Sequence, residues 1–305
     1  MSQSVPAWRR TRERGNRSLL LFMRWMGMHA PDWITAPLIW GIALYFTLLP
    51  GQTVAQGATR YFQTVYGRPA TFADRYRQVC AFAFVVLERV KLLADQTDGF
   101  TIDASGERII DEHHLSRKGG VLLGAHFGSF EAMRAFDRQL PGLKVRYLMF
   151  QDNAEASSAV LNAINPDVAA AVIDVRDGPS AMLAVRSALE DGQFVAFLGD
   201  RMPTHMARGE ITVDFLGAPI KVPRAPYYCA ILAQRPLILC FAPRKGLRSY
   251  DITFTEIYDG AAVPRCDRDR ICRELAQVYA DALSDMCRRH PYNWFNFFDI
   301  WRRGE

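Results

Sequence analysis

Apolar residues recur along this chain with two periods that take turns, one near 3.6 and one that reads as short unbroken runs. From Gly57 to Asp95 the period is helical, with aromatics returning on one side and an interruption at Gly67-Arg68-Pro69, which predicts two amphipathic helices. After that the two patterns alternate. "GGVLLGAH", "KVRYLMF", "AAAVIDV" and "QFVAFLGD" read as buried strands, and "FEAMRAFDRQL", "SAVLNAI" and "PSAMLAVRSALEDG" as the helices between them, the last stopping at Gly192. Further on, "RAPYYCAILAQ" predicts a helix, "PLILCFAPR" and "YDITFTEI" predict strands, and "DRDRICRELAQVYADALSDMCRRH" a long closing helix. The alternation argues an α/β fold with a central, mainly parallel or mixed sheet layered by helices. Functional residues in such sheets gather at the carboxyl ends of strands. "GAHFGSFE" and "LGDRMP" both begin where an apolar strand ends.

The N-terminal region breaks the pattern. No charged side chain occurs from Trp33 to Thr59, and "WITAPLIWGIALYFTLL" is almost wholly apolar. Its 17 residues are the short end of what crosses a bilayer, which normally takes about 20. Pro37 weakens a span further. Trp25, Trp33, Trp40, Tyr45 and Phe46 supply the amphipathic rings that settle at a membrane interface. Ahead of them Arg9, Arg10, Arg12, Arg14, Arg17 and Arg24 stand against the single acid Glu13. Such a cluster suits anionic lipid as well as nucleic acid, and the uncharged stretch behind it favours lipid. Residues 1–60 therefore read as a basic segment and an apolar membrane anchor, with membrane-associated helices that either span or lie in the bilayer. Residues 61–305 read as a single domain, and positive-inside logic keeps the N-terminus cytoplasmic.

Composition narrows the chemistry. The chain has 305 residues, a net charge of +5, half its residues hydrophobic and 23% charged, which is globular and slightly greasy. Its six cysteines form no Cys-x-x-Cys pair and lie near no histidine at zinc spacing, so they read as reduced, mostly buried thiols and give no metal site. There is no phosphate-binding Gly-x-x-x-x-Gly-Lys loop, no Gly-x-Gly-x-x-Gly and no Gly-x-Ser-x-Gly elbow. "DEHHLSRKGG" reads as a polar loop before a strand.

At the first of these strand ends a base and an acid, His126 and Glu131, stand five residues apart. On one helix they would stand about 140° apart, so a direct hydrogen bond needs His126 in a turn and Glu131 in the first helical turn. Gly124 and Gly128 permit tight backbone and Ser129 is a good N-cap, which supplies that geometry. A carboxylate holding one imidazole nitrogen leaves the other free to take a proton from a hydroxyl. Spacing alone fits equally a buried core histidine beside a glutamate favouring a helix N-terminus.

"HFGSFE" after a glycine-tipped apolar strand resembles the His-x-x-x-x-Asp/Glu motif of the glycerolipid acyltransferase superfamily, and more narrowly of the lipid A late acyltransferase (lysophospholipid acyltransferase) family. "LEDGQFVAFLGDRMP", "GEITVDFLGAPIKVPRAPYYCAILAQRPLIL" and "HPYNWFNFFDIW" resemble further segments of that family in the same order. The resemblance covers roughly residues 8 to 303. It implies a membrane-associated O-acyltransferase that moves a fatty acyl group from an acyl carrier protein or acyl-CoA thioester to a hydroxyl of a lipid or glycolipid, on the cytoplasmic side of a bacterial-type inner membrane. It implies no metal and no bound cofactor, with His126 as general base and Glu131 orienting it. Backbone amides near Gly128 are candidates for stabilising the oxyanion. Asp200 and Arg201 would help form the site, and a planar guanidinium fork suits phosphate oxygens. Lys221 and Arg224 precede a helix whose N-terminus attracts anions, although plain solvated charge explains them equally. Arg176 matches a family position loosely. Two departures stand out: Ser129-Phe130 where many relatives carry asparagine, and Asn296-Phe297-Phe298 in place of an arginine-rich centre. The N-terminus also resembles acyltransferases of aryl-polyene or xanthomonadin-type pathways. Rivals are transfer of an aryl-polyene or aminoacyl group on the same machinery, or a non-catalytic lipid-binding membrane protein.

Overall fold

The computed structural model describes residues 25–133, 142–149, 164–201 and 209–301. The six N-terminal arginines, most of "SAVLNAI" and the body of "FEAMRAFDRQL" lie outside the described residues. After helical residues 25–29 come α1 (Asp32–Leu48), α2 (Gln52–Tyr66) and α3 (Phe72–Leu93). The interruption expected at Gly67-Arg68-Pro69 separates α2 from α3. Gly67 ends α2 in a left-handed conformation, and Thr71 opens α3 with a capping box in which Asp74 and Thr71 satisfy each other's orphan amides.

The body alternates as its pattern requires: β1 (Thr101–Ser105), α4 (Glu107–Leu115), β2 (Gly120–Gly124), β3 (Val145–Met149), α5 (Pro166–Ala171), β4 (Val172–Asp174), α6 (Pro179–Glu190) and β5 (Phe194–Leu198). The hairpin β6 (Glu210–Phe215) and β7 (Ala218–Pro223) follows, then α7 (Ala225–Ala233), β8 (Leu237–Phe241), β9 (Arg244–Gly246), β10 (Ser249–Tyr258) and α8 (Arg268–Arg289). The main sheet runs β1-β10-β8-β2-β5-β3-β4, with β9 paired to β10. β8, β2, β5, β3 and β4 run parallel; β10 is antiparallel to β8, and β1 follows β10. The sheet is therefore mainly parallel, flanked by helices on both faces.

Side-chain alternation along the strands sorts the core into two layers. Val121 and Leu123 of β2, with Val195 and Phe197 of β5, pack with Val185 and Leu189 of α6, Tyr227 of α7 and Tyr279 of α8. Leu122, Phe194, Ala196 and Ile238 face the other way, against Val85 and Leu92 of α3 and Ile110 of α4.

Two sequence expectations change. "DEHHLSRKGG" is not a loop: it supplies the last turns of α4, where His113 pairs with Glu256 of β10. In "AAAVIDV" the alanines finish α5, whose N-cap Asn165 accepts hydrogen bonds from the Asp167 and Val168 amides, and only Val172–Asp174 is strand. The hairpin β6–β7 forms a separate two-stranded sheet beside α8. α2 crosses residue 60 unbroken and places Tyr61 and Phe62 in the main core.

α1 buries Thr35, Ile39, Ala43 and Thr47, one narrow stripe that includes Ile39 packed with Phe84 and Leu87 of α3. The rest of its surface exposes Trp33, Leu38, Trp40, Tyr45, Phe46 and Leu48. No single helix among the described residues is long and apolar enough to cross a membrane; α1 and α2 together reach that length but are bent by 94° at the break between them.

Candidate active site

β2 and β5 are parallel neighbours, with Gly124 opposite Leu198. Two residues beyond each of these positions the chain reaches His126 and Asp200, so strand register alone brings them side by side at the carboxyl edge of the sheet. The ladder is extended by Gly199, whose amide donates to the Gly124 carbonyl at 2.9 Å. Tyr279 of α8 donates to the same carbonyl at 3.1 Å.

Asp200 is fully buried and accepts from both donors of His126. The backbone N–H reaches its Oδ1 at 3.1 Å and the ring Nδ1 at 2.8 Å. Its other oxygen, Oδ2, accepts from the Trp294 indole at 3.1 Å. Burial by itself would push this carboxyl up. The facing His126, the hydrogen bonds from that residue and the Arg201 charge outweigh burial and hold the group well below the usual carboxylate range. An ionised carboxylate only accepts, so the ring N–H that meets it is on Nδ1, and in a neutral imidazole with that tautomer the lone pair is on Nε2. Among the described residues nothing bonds to Nε2.

The turn after His126 is fixed by backbone. Gly128 has φ +62°, and a Cβ there would lie 1.8 Å from the Ala242 carbonyl oxygen, so no other residue fits. The Gly128 amide donates to Asn293 O at 2.8 Å and the Ser129 amide to Ala242 O at 3.0 Å. Gly128 is therefore not a free oxyanion donor, contrary to expectation: the C-terminal segment has taken its N–H. Phe295 N–H closes on the His126 carbonyl at 2.8 Å, and Phe127 bridges antiparallel to Trp294. Ser129 Oγ accepts from the Ala132 amide at 3.3 Å, while the body of the helix expected after it lies outside the described residues.

Glu131 does not hold His126 in this arrangement. Its Oε1 lies 2.6 Å from Arg89 Nε of α3, an ion pair whose N–H is not aligned for a hydrogen bond. Its Oε2 accepts from Ser129 at 3.4 Å. The physical reason for the difference is that register fills the Nδ1 side of the ring with Asp200, while Glu131, beyond the Gly128 turn, faces α3. Arg201 donates to Phe295 O at 2.7 Å and stacks its guanidinium 5.6 Å from the Phe298 ring centre. Burial lowers its pKa from the ordinary value, with the Asp200 charge opposing.

His126, Glu131, Arg89 and Arg201 share the wall of one cavity of about 360 Å3, otherwise lined by apolar side chains including Val85, Phe130, Leu148, Phe197 and Phe295. A largely apolar cleft with a few convergent polar groups is the usual form of a small-molecule or lipid site. The other sequence candidates lie elsewhere. Lys221 sits on β7, paired with Glu210 across the hairpin. Arg224 begins α7, held by Asp269 at 3.2 Å and stacked on Tyr228. Arg176 follows β4 and grips Asp174 at 2.9 Å through Nε. None of the three lines the cavity. Two partners went unseen in the sequence, Trp294 and Arg89. "HPYNW" marked the first as part of a motif without a role, and nothing marked the second. No cluster of three or more His, Cys, Asp or Glu side chains able to hold a metal gathers among the described residues.

A comparison with curated proteins found no match. The model of the family of bacterial lipid A biosynthesis acyltransferases matches residues 68–303, which takes in every element from α3 onward and the whole cavity wall. The strand-end histidine, its buried aspartate and the C-terminal segment that closes over them all fall inside that match, and the chain belongs to the bacterial lipid A biosynthesis acyltransferase family.

Proposed function

We propose that this acyltransferase takes a fatty acyl group from an acyl carrier protein or coenzyme A thioester and places it on a hydroxyl of a lipid or glycolipid acceptor, at the inner face of a bacterial-type cytoplasmic membrane. The observation that carries the reading is the His126–Asp200 pair opening on an apolar cavity. His126 Nε2 accepts the proton of the acceptor hydroxyl as its oxygen bonds to the thioester carbonyl carbon. The carbon–sulfur bond then breaks, and the imidazolium returns that proton to the leaving thiolate. Such base assistance is worth roughly 10² to 10⁴-fold. Asp200 keeps the ring in the right tautomer and opposes the charge it gains. Arg201, on the same cavity wall, offers positive charge to the developing oxyanion. Glu131, held by Arg89 at the cavity wall, receives a polar group of the acceptor, and the apolar wall takes the acyl chain.

The exposed rings of α1, Trp33, Trp40, Tyr45 and Phe46, support docking at the membrane interface. Its short, bent partnership with α2 favours lying in the bilayer surface over crossing it. The test is mass spectrometry of total lipids from cells lacking the gene, complemented with wild type or His126→Ala. A product short of one acyl chain, restored by wild type alone, is the expected result. Restoration by both would move a lipid-binding role ahead.

A further inference from the structure

We propose that Trp294 is a positioning residue for His126, acting through Asp200; this rests on the acyl-transfer reading above. A histidine base is only as well aimed as the carboxylate that holds it, and a carboxylate can rotate. Asp200 Oδ1 takes both donors of His126. Among the described residues the one donor to Oδ2 is the Trp294 Nε1–H, which meets this oxygen of a residue with no solvent exposure at 3.1 Å. Gripped at both oxygens, the carboxylate keeps one orientation. Indole nitrogen is a donor and never an acceptor, so it stabilises the ionised carboxylate and offers no competing acceptor to the imidazole Nδ1–H.

Trp294 is itself fixed. Its ring packs against Tyr61 and Phe215 with centroids 5.0 and 5.1 Å away, and its carbonyl accepts from Gln78 of α3 at 2.8 Å. The next residue, Phe295, donates its amide to the His126 carbonyl at 2.8 Å. The C-terminal segment therefore reaches His126 twice: directly at its backbone, and through Asp200 at its ring. Trp301 provides a matched control. It stacks on the same Phe215 and contacts Trp294, but its indole donates to the Phe215 carbonyl at 3.4 Å and not to Asp200.

The experiment replaces the Trp294 indole with benzothiophene in the full chain, which keeps shape and removes the N–H, alongside Trp294→Phe and Trp301→Phe. Two readouts are taken: solvent exchange of the His126 Nδ1 proton by ¹⁵N-histidine NMR, and steady-state transfer from dodecanoyl-CoA to a detergent-solubilised glycolipid. The expected result for the benzothiophene chain is Nδ1 exchange faster by about tenfold or more and kcat lower by a similar factor, with KM unchanged. Trp301→Phe should leave both readouts near wild type. Unchanged exchange and kcat in the benzothiophene chain, or equal losses in Trp301→Phe, would overturn the proposal and leave Trp294 as packing. If wild type transfers no acyl group, the acyl-transfer reading fails, and Nδ1 exchange still decides for or against the positioning role.

Discussion

Two carboxylates stand within reach of the same strand-end turn, and their surroundings are opposite. Asp200 is sealed under the sheet edge with three hydrogen-bond donors on its two oxygens among the described residues. Glu131 looks into the cavity with one imperfect ion pair and one long hydrogen bond. A buried charge persists only when its lone pairs are met, and one so met becomes a rigid fixture. A carboxylate left partly unmet at a cavity wall is the one a substrate can engage. Under the proposed function, burial separates the acid that would aim the base from the acid that would meet the acceptor.

The sharpest way to break this comparison is to remove the ring that Asp200 holds. His126→Ala should lower transfer by about 10² to 10⁴-fold and should also lower the melting temperature, since it leaves the buried Asp200 Oδ1 with only the backbone N–H of residue 126. Asp200→Asn should come next and should damage both properties: kcat falls, and stability drops by about 2–4 kcal/mol because a fully paired buried charge is lost. Its pH dependence has a definite sign. The Asp200 carboxyl sits below its ordinary value of 3.8 in the folded chain, so its contribution to stability is full above the usual carboxylate range and fades as pH falls through it. Melting curves should therefore show the gap between wild type and Asp200→Asn narrowing in acid. Glu131→Gln should lower kcat/KM while leaving the melting temperature within a degree or so of wild type, because surface-like pairs contribute little to stability. The smallest effect on chemistry belongs to α1. Trp33→Glu with Trp40→Glu should reduce co-sedimentation with anionic vesicles and leave turnover in detergent micelles unchanged.

Much of the scaffold was legible before any coordinates. The two periods gave the alternation and the Gly67 break, because each depends on neighbours within a few residues. The hairpin β6–β7 was also readable in principle: Ile211, Val213 and Phe215 are buried at every second position. The true partner of His126 was not. His126 and Asp200 are 74 residues apart, and Asp200 and Trp294 a further 94, so they meet only through parallel register and the returning C-terminal segment. A local spacing of five pointed to Glu131, whereas register, which single-chain periodicity does not encode, supplied Asp200. Lys221 and Arg224 were open between an anion site and plain solvated charge, and local sequence could not show that the cross-strand Glu210 and the Asp269 of α8 pair with them.

The most direct measurement is transfer by purified protein in micelles, following thiol release from the thioester and acylated lipid by mass spectrometry, with wild type, His126→Ala and Asp200→Asn compared at equal folded concentration. The account predicts one acylated lipid per thiol released by wild type, at least a hundredfold less from His126→Ala, and a loss in Asp200→Asn that approaches it. Full turnover by His126→Ala, or by Asp200→Asn, would contradict it.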